Sequence, residues 1–325
     1  MRTILCFIII CNSLFFSQSC IHKTYKVVYP ALHDGKYDSE FPYKACSQQI
    51  SALAQCVKKI IVYAEYKTFY FTPTEKIQLA QLSENLKKGR IQSFSNSETV
   101  LGTATILSSQ YNHLVMLTCS HVINFPDTVL NYYDSFGFAE KYLRSVSVRL
   151  NRYIHVKDLP LGEDIELICQ DKENDIAFIS KRIYQTDEFI PVFPYPAGKA
   201  AELEWGSFVY ILGYPQGIQM LTKGIVSNPP QNTDSDFFID ALFNKGISGG
   251  VVLAIRDGVP NFEWVGIAKA TYANSENILK PQLEYHEQTY NPKVPYKGEV
   301  FVGVRKDVNY GITYSVRIEI GRAHV

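Results

Sequence analysis

From Thr99 onward, β-branched and aromatic residues gather into short runs at 103–107, 114–118, 145–148, 208–212, 237–239 and 251–255. Gly, Pro, Asn and Asp separate these runs, a texture that predicts an antiparallel β-protein of sandwich or barrel type. Upstream the period changes. Ile50, Leu53 and Val57 recur at helical spacing across residues 45–57, and the apolar stretch 60–64 that follows predicts a strand. Between them and the β-rich region, residues from Pro73 to Glu98 are polar and helix-favouring, which predicts a partly helical insertion. Residues 21–43 are rich in Tyr, Pro, Gly and charge without any period, which predicts an irregular extension or tether. No repeat of fixed period is present.

The first twenty residues are of a different kind. Arg2 precedes an almost unbroken apolar run from Ile4 to Phe16, followed by Ser17-Gln18-Ser19-Cys20. A run of about a dozen residues is too short for a spanning helix, which needs roughly 20, so an export signal over residues 1–19 is expected. Ser19 before Cys20 resembles a loose bacterial lipobox, so a membrane tether through lipidated Cys20 is expected in a periplasmic protein, with plain secretion as the alternative. At the other end, residues 319–325 read like a translated sequencing adapter and are set aside from the fold.

Composition narrows the function. Charge is balanced, with 32 Lys and Arg against 32 Asp and Glu, and no basic block interleaves with aromatics, so nucleic acid is not an expected partner. After the signal, Cys46, Cys56, Cys119 and Cys169 are too few for a disulfide scaffold; Cys46 and Cys56 are either a local pair or two buried thiols. No C-x-x-C or H-E-x-x-H string supports a metal site, and no cofactor is called for. Oligomeric state is left open by the pattern.

Three strings carry chemistry. Gly246-Ile247-Ser248-Gly249-Gly250 places a serine between glycines, which permits a tight turn that exposes a hydroxyl and aims backbone N–H groups at one point. Leu117-Thr118-Cys119-Ser120-His121 ends an apolar strand on a histidine, and Asn174-Asp175-Ile176-Ala177-Phe178-Ile179 opens another with an aspartate. His113 sits in a predicted turn, and Asp164 and Asp171 open no apolar strand; all three read as solvated surface.

In kind and in order, these strings resemble the histidine, aspartate and serine motifs of trypsin-like serine peptidases, closest to the bacterial HtrA (Deg) branch. Leu101-Gly102-Thr103-Ala104-Thr105-Ile106, Leu212-Gly213-Tyr214-Pro215-Gln216-Gly217 and Gly224-Ile225-Val226-Ser227 are similar to lesser motifs of that family, as are residues 265–268 and 311–316. The resemblance implies an all-β fold of two antiparallel β-barrels over residues 57–318, with residues 20–56 as a small, partly helical extension. It implies a serine endopeptidase acting on polypeptide through an acyl-enzyme: Ser248 as nucleophile, His121 as general base, Asp175 as its orienting partner, and the N–H groups of Gly246 and Ser248 as oxyanion hole. By the same likeness Leu242 and Phe243 reach the base of the specificity pocket, with cleavage after small or apolar residues, and Val265, Gly266, Ile267 and Ala268 form the substrate-pairing strand.

Ile247 departs from the family pattern, which has Asp or Asn before the serine. An apolar side chain cannot pair with a freed terminal amine, so a trypsinogen-type activation salt bridge is excluded there. A catalytically silent relative that binds peptides in the same groove is the alternative.

Overall fold

A computed structural model describes residues 32–87, 92–133, 142–184, 186–231, 236–241, 244–281, 293, 295 and 300–318. Leu242, Phe243, Cys20, the export signal and the 319–325 tail lie outside the described residues. Helix α1 (Ser47–Cys56) buries Leu53 and Cys56 and runs directly into β1 (Val57–Tyr70), as the periodicity predicts. Buried residues alternate along β1 at Ile60, Val62, Ala64, Tyr66 and Thr68, the two-residue period of a strand with one covered face.

β1 pairs antiparallel with β2 (Ser93–Gln110) on one side and β5 (Leu143–Val156) on the other. With β3 (His113–Cys119), β4 (Thr128–Tyr132), β6 (Gly162–Asp171) and β7 (Ile176–Ile183) they form a seven-stranded sheet, in the order β4-β5-β1-β2-β3-β7-β6. Among the described residues the polar insertion holds a 3-10 turn (Leu79–Gln81) and one short α-helix, α2 (Leu82–Lys87), and strand begins at Ser93, earlier than composition predicts. Its first residues are exposed and carry no apolar alternation; what makes them strand is the register with β1, Phe69 opposite Ser93 through Ala64 opposite Glu98.

The second unit is a closed six-stranded barrel, β10-β13-β12-β11-β8-β9. Its strands are β8 (Phe208–Gly213), β9 (Met220–Asn228), β10 (Phe237–Ile239), β11 (Gly250–Ile255), β12 (Phe262–Pro281) and β13 (Val300–Arg317). Every residue of β11 is buried, because its two faces meet two cores. Val251, Leu253 and Ile255 pack with Ile60, Ile106 and Leu117 of the first sheet, whereas Val252 and Ala254 fill the barrel with Val209, Ile211 and Phe237. That double burial explains an apolar run with no polar alternation. An all-β pairing of two β-units is thus what the structure has, with the N-terminal unit an open sheet and the C-terminal one closed.

The extension clasps the second barrel. Tyr37 bridges Arg256, Asp38 N–H donates to the Ile255 carbonyl, and Phe208 N–H donates to the Asp38 carbonyl. The Tyr37 hydroxyl donates to Glu263 at 2.6 Å under the Arg256 guanidinium, which stacks on its ring. Burial and the Glu263 carboxylate push the Tyr37 phenol well above its usual range. Cys46, Cys56, Cys119 and Cys169 are free thiols, which settles the first pair as unbridged. Burial raises the Cys56 thiol to about 11.

Candidate active site

The apolar strand β3 carries the chain to the bottom of the cleft and turns there into the one-turn helix α3 (Ser120–Ile123). Ser120, Val122 and Ile123 point into the protein, so His121 is left facing out, its side chain 45% exposed. β7 pairs with β3 so that Ile176 lies opposite Cys119, which brings the residue before Ile176 alongside the histidine. That residue is Asp175. It sits at φ 57°, a left-handed conformation uncommon outside glycine. Its carbonyl accepts from Ser120 N–H at 3.0 Å, its Oδ1 accepts from His121 N–H at 2.7 Å, and its Oδ2 lies 2.6 Å from His121 Nδ1.

With a carboxylate oxygen facing Nδ1, the neutral imidazole has its accepting nitrogen at Nε2. The turn that delivers Asp175 is itself built by a side chain. Asp171 Oδ1 accepts from the N–H groups of Glu173 and Asn174, both at 3.0 Å, and Oδ2 accepts from the Asn174 amide. Asp171 is therefore not merely solvated surface but shapes the turn, whereas Asp164 lies exposed on β6 and His113 exposed at the start of β3, beside Arg182.

Ser248 belongs to the turn that precedes β11 and is 6% exposed. It reaches the histidine side of the cleft through a shared acceptor: Gly249 N–H at 2.8 Å and the Cys119 thiol at 3.4 Å both donate to the Ala268 carbonyl. The Ser248 hydroxyl donates to the Lys269 carbonyl at 3.1 Å. Two glycines make this turn obligatory. Gly246 has φ 103° and a Cβ there would come within 2.3 Å of the Tyr214 carbonyl; Gly249 has φ 90° and a Cβ would come within 2.0 Å of the Thr103 carbonyl.

The two amides assigned to the oxyanion hole are aimed by the carbonyls on the other side of their peptide planes. The Lys245 carbonyl accepts from Gln216 N–H at 2.6 Å, and the Ile247 carbonyl accepts from Gly250 N–H at 2.7 Å. In a trans peptide N–H and C=O point opposite ways. The N–H groups of Gly246 and Ser248 are thereby turned away from those partners, and among the described residues neither donates to a backbone carbonyl. Ile247 is buried in the barrel core with Val209, Ile211 and Val226, so the apolar substitution fills space and leaves these peptide planes intact.

Cys119 is fully enclosed. Burial first, and the Asp175 carboxylate second, push its thiol well above the usual range, so it is a neutral packing group with a weak donor. Cys119, His121 and Asp175 are the set of three metal-ligand types that lie together among the described residues, within 4.8 Å of one another. A neutral buried thiol and an Nδ1 already bonded to carboxylate are poor ligands, and the arrangement fits a histidine–aspartate pair better than a metal centre.

One sequence expectation needs correction. Gly266, Ile267 and Ala268 are buried and paired on both sides, with β11 and with β13, and Val265 is buried in a bulge of the β11 pairing, so their backbone has no edge to offer a substrate. The pairing with β11 ends at Gly250 opposite Ala268; Lys269 is a bulge, and among the described residues β12 pairs from Ala270 onward with β13 alone. The open edge therefore starts at Lys269, beside Ser248. The sequence motif does not locate the edge, because an apolar strand and its exposed continuation differ only in what lies next to them. Thr103 and Lys269 were not singled out from sequence; each makes its contact with Ser248 through long-range pairing that no local pattern encodes.

A family model described as a trypsin-like peptidase domain matches residues 102–267, roughly half of the chain. The chain belongs to that family. Among solved structures, one titled "Crystal structure of Deg5" is similar at 18% identity, covering 69% of this chain and 85% of that one, with a TM-score of 0.35. No curated protein matches.

Proposed function

We propose that this protein is a serine endopeptidase in which Ser248, His121 and Asp175 form the catalytic triad. The observation that carries the reading is the two-point hold of Asp175 on His121, through the backbone N–H and through Nδ1, beside a buried serine on a double-glycine turn. Rotation of the Ser248 side chain away from the Lys269 carbonyl presents Oγ to His121 Nε2. His121 takes the hydroxyl proton as Oγ bonds the scissile carbonyl carbon, and Asp175 stabilises the imidazolium that results. The carbonyl oxygen gains negative charge and is met by the N–H groups of Gly246 and Ser248. Collapse expels the amine, which takes its proton from His121; water then repeats the sequence on the acyl-enzyme.

The substrate lies antiparallel along the open edge of β12 from Lys269 outward. The family resemblance assigns Leu242 and Phe243 to the primary pocket, which favours small or medium apolar residues before the scissile bond; a peptide-library profile dominated by Arg or Lys contradicts it. Export follows from the apolar N-terminus, with Cys20 as lipid tether.

A second reading, a catalytically silent peptide binder, draws on the Ser248 hydroxyl being donated to Lys269 rather than to His121. Hydrolysis of casein by the mature protein beside its Ser248→Ala variant separates the two. Turnover in the first and near loss in the second is expected; equal turnover in both, or none in either, overturns the peptidase.

A further inference from the structure

Thr103 bonds to the turn that carries Ser248 through both its backbone and its side chain. It is fully buried on β2, in the other unit of the molecule from Ser248. Its backbone N–H donates to the Ser248 carbonyl at 2.7 Å, and its carbonyl accepts from Thr118 Oγ1 at 2.7 Å. Its hydroxyl does something separate. Oγ1 donates to the Gly246 carbonyl at 2.8 Å and accepts from Tyr214 N–H at 2.9 Å.

Those two contacts join the turn bearing Gly246 to the turn at residues 214–217. The second turn also holds the first from the other side, through Gln216 N–H on the Lys245 carbonyl at 2.6 Å. Successive carbonyls are thus pinned, that of Lys245 by Gln216 N–H and that of Gly246 by Thr103 Oγ1, which is itself held by Tyr214 N–H of the same turn as Gln216. The N–H between those carbonyls is that of Gly246.

We infer that the Thr103 hydroxyl is a positioning residue for the oxyanion hole, holding the Gly246 amide in its donating orientation from across the cleft. This rests on the peptidase reading above for its catalytic meaning, though the geometry it asserts stands by itself. Removing the hydroxyl takes this partner from the Gly246 carbonyl and the Tyr214 N–H, and of the two successive peptides that flank the Gly246 Cα, Gly246–Ile247 then loses its anchor while Lys245–Gly246 keeps its own through Gln216. The backbone bond from Thr103 to Ser248 survives in every variant, so the nucleophile's main chain stays put.

Thr103→Val keeps shape and branching and deletes the hydroxyl; Thr103→Ser keeps the hydroxyl and deletes a methyl. Turnover of a peptide substrate by Thr103→Val is expected to fall in kcat by about 10- to 100-fold, less than deleting a hole donor outright, with KM little changed. The rate of phosphonylation by a fluorophosphonate, in which Ser248 Oγ bonds phosphorus as fluoride leaves and the phosphoryl oxygen enters the hole, falls in parallel, and Thr103→Ser recovers most of both. The amide resonances of Gly246 and Ser248 supply a readout independent of turnover: Gly246 moves in Thr103→Val and returns in Thr103→Ser, while cooperative thermal unfolding persists in all three proteins. Wild-type kcat and an unmoved Gly246 resonance in Thr103→Val overturn the inference, as does a loss that serine does not recover. Should the wild type itself neither turn over peptide nor react with the phosphonate, the peptidase reading falls alone, and the Gly246 resonance still decides Thr103.

Discussion

Both carboxylate oxygens of Asp175 are committed to His121, Oδ1 to its backbone N–H and Oδ2 to its ring, so the aspartate fixes where the imidazole sits and which nitrogen carries its proton. Asparagine in that place keeps one acceptor and gains an N–H₂ donor. Asp175→Asn is expected to hold the fold but to trap the wrong tautomer, with kcat falling by about 10⁴-fold at neutral pH. Steady-state kinetics beside a thermal melt check this; unchanged kcat in a folded variant contradicts it.

Gly249 has no room for a methyl group. A Cβ would overlap the Thr103 carbonyl at 2.0 Å, and φ of 90° is strained for any L side chain. Both obstacles are backbone, which cannot swing aside as a side chain does. Gly249→Ala is expected to lose about 2 kcal/mol or more of stability, read as the shift of the urea midpoint.

Ile247 gives a contrasting pair. It is 1% exposed among apolar neighbours. Ile247→Val removes one methyl and is expected to cost about 1 kcal/mol. Ile247→Asp, which restores the residue type usual in the family, buries a carboxylate with no amine to meet it and is expected to cost about 3–5 kcal/mol and abolish turnover. Urea unfolding of the two variants gives the comparison, and a well-folded Ile247→Asp contradicts the packing argument.

Asp38 predicts a pH dependence of stability. Its Oδ2 accepts from Gly258 N–H at 3.0 Å, while Oδ1 is buried without a partner among the described residues. Burial, with Glu40, Asp257 and Asp34 nearby, raises its carboxyl to about 6 from 3.8. The folded state therefore holds the proton more tightly than the unfolded chain. Its contribution to stability is fully present below about 3.8 and is lost as pH rises through about 6. Asp38→Asn retains an acceptor for Gly258 and carries no charge, so it is expected to melt higher than wild type at pH 7 and to flatten the profile between pH 4 and 6. Melting curves across that range, with an unchanged slope in the variant, would count against it.

Much of the architecture was legible in the sequence because single strands advertise their own burial. The runs at 103–107, 114–118 and 251–255 each became strand, and the helical spacing of Ile50 and Leu53 became α1. The strand at Ser93 to Glu98 was not legible: both its faces are exposed, and only pairing with β1 extends it. Residues around Tyr37 gave no periodic signal because their order comes from docking on Arg256 and Glu263, far along the chain. At the site, His121 and Asp175 were readable from strand ends. The open edge at Lys269 was not, since it depends on where β11 stops, and neither was the reach of Thr103 across the cleft.

The central claim is that Ser248 is a nucleophile activated by His121. Intact-mass analysis of the folded protein after exposure to a fluorophosphonate tests it most directly. One adduct, mapped to Ser248 and absent from Ser248→Ala, from His121→Ala and from urea-unfolded protein, is the predicted result; a folded protein that takes no adduct, or takes it equally in Ser248→Ala, contradicts the account.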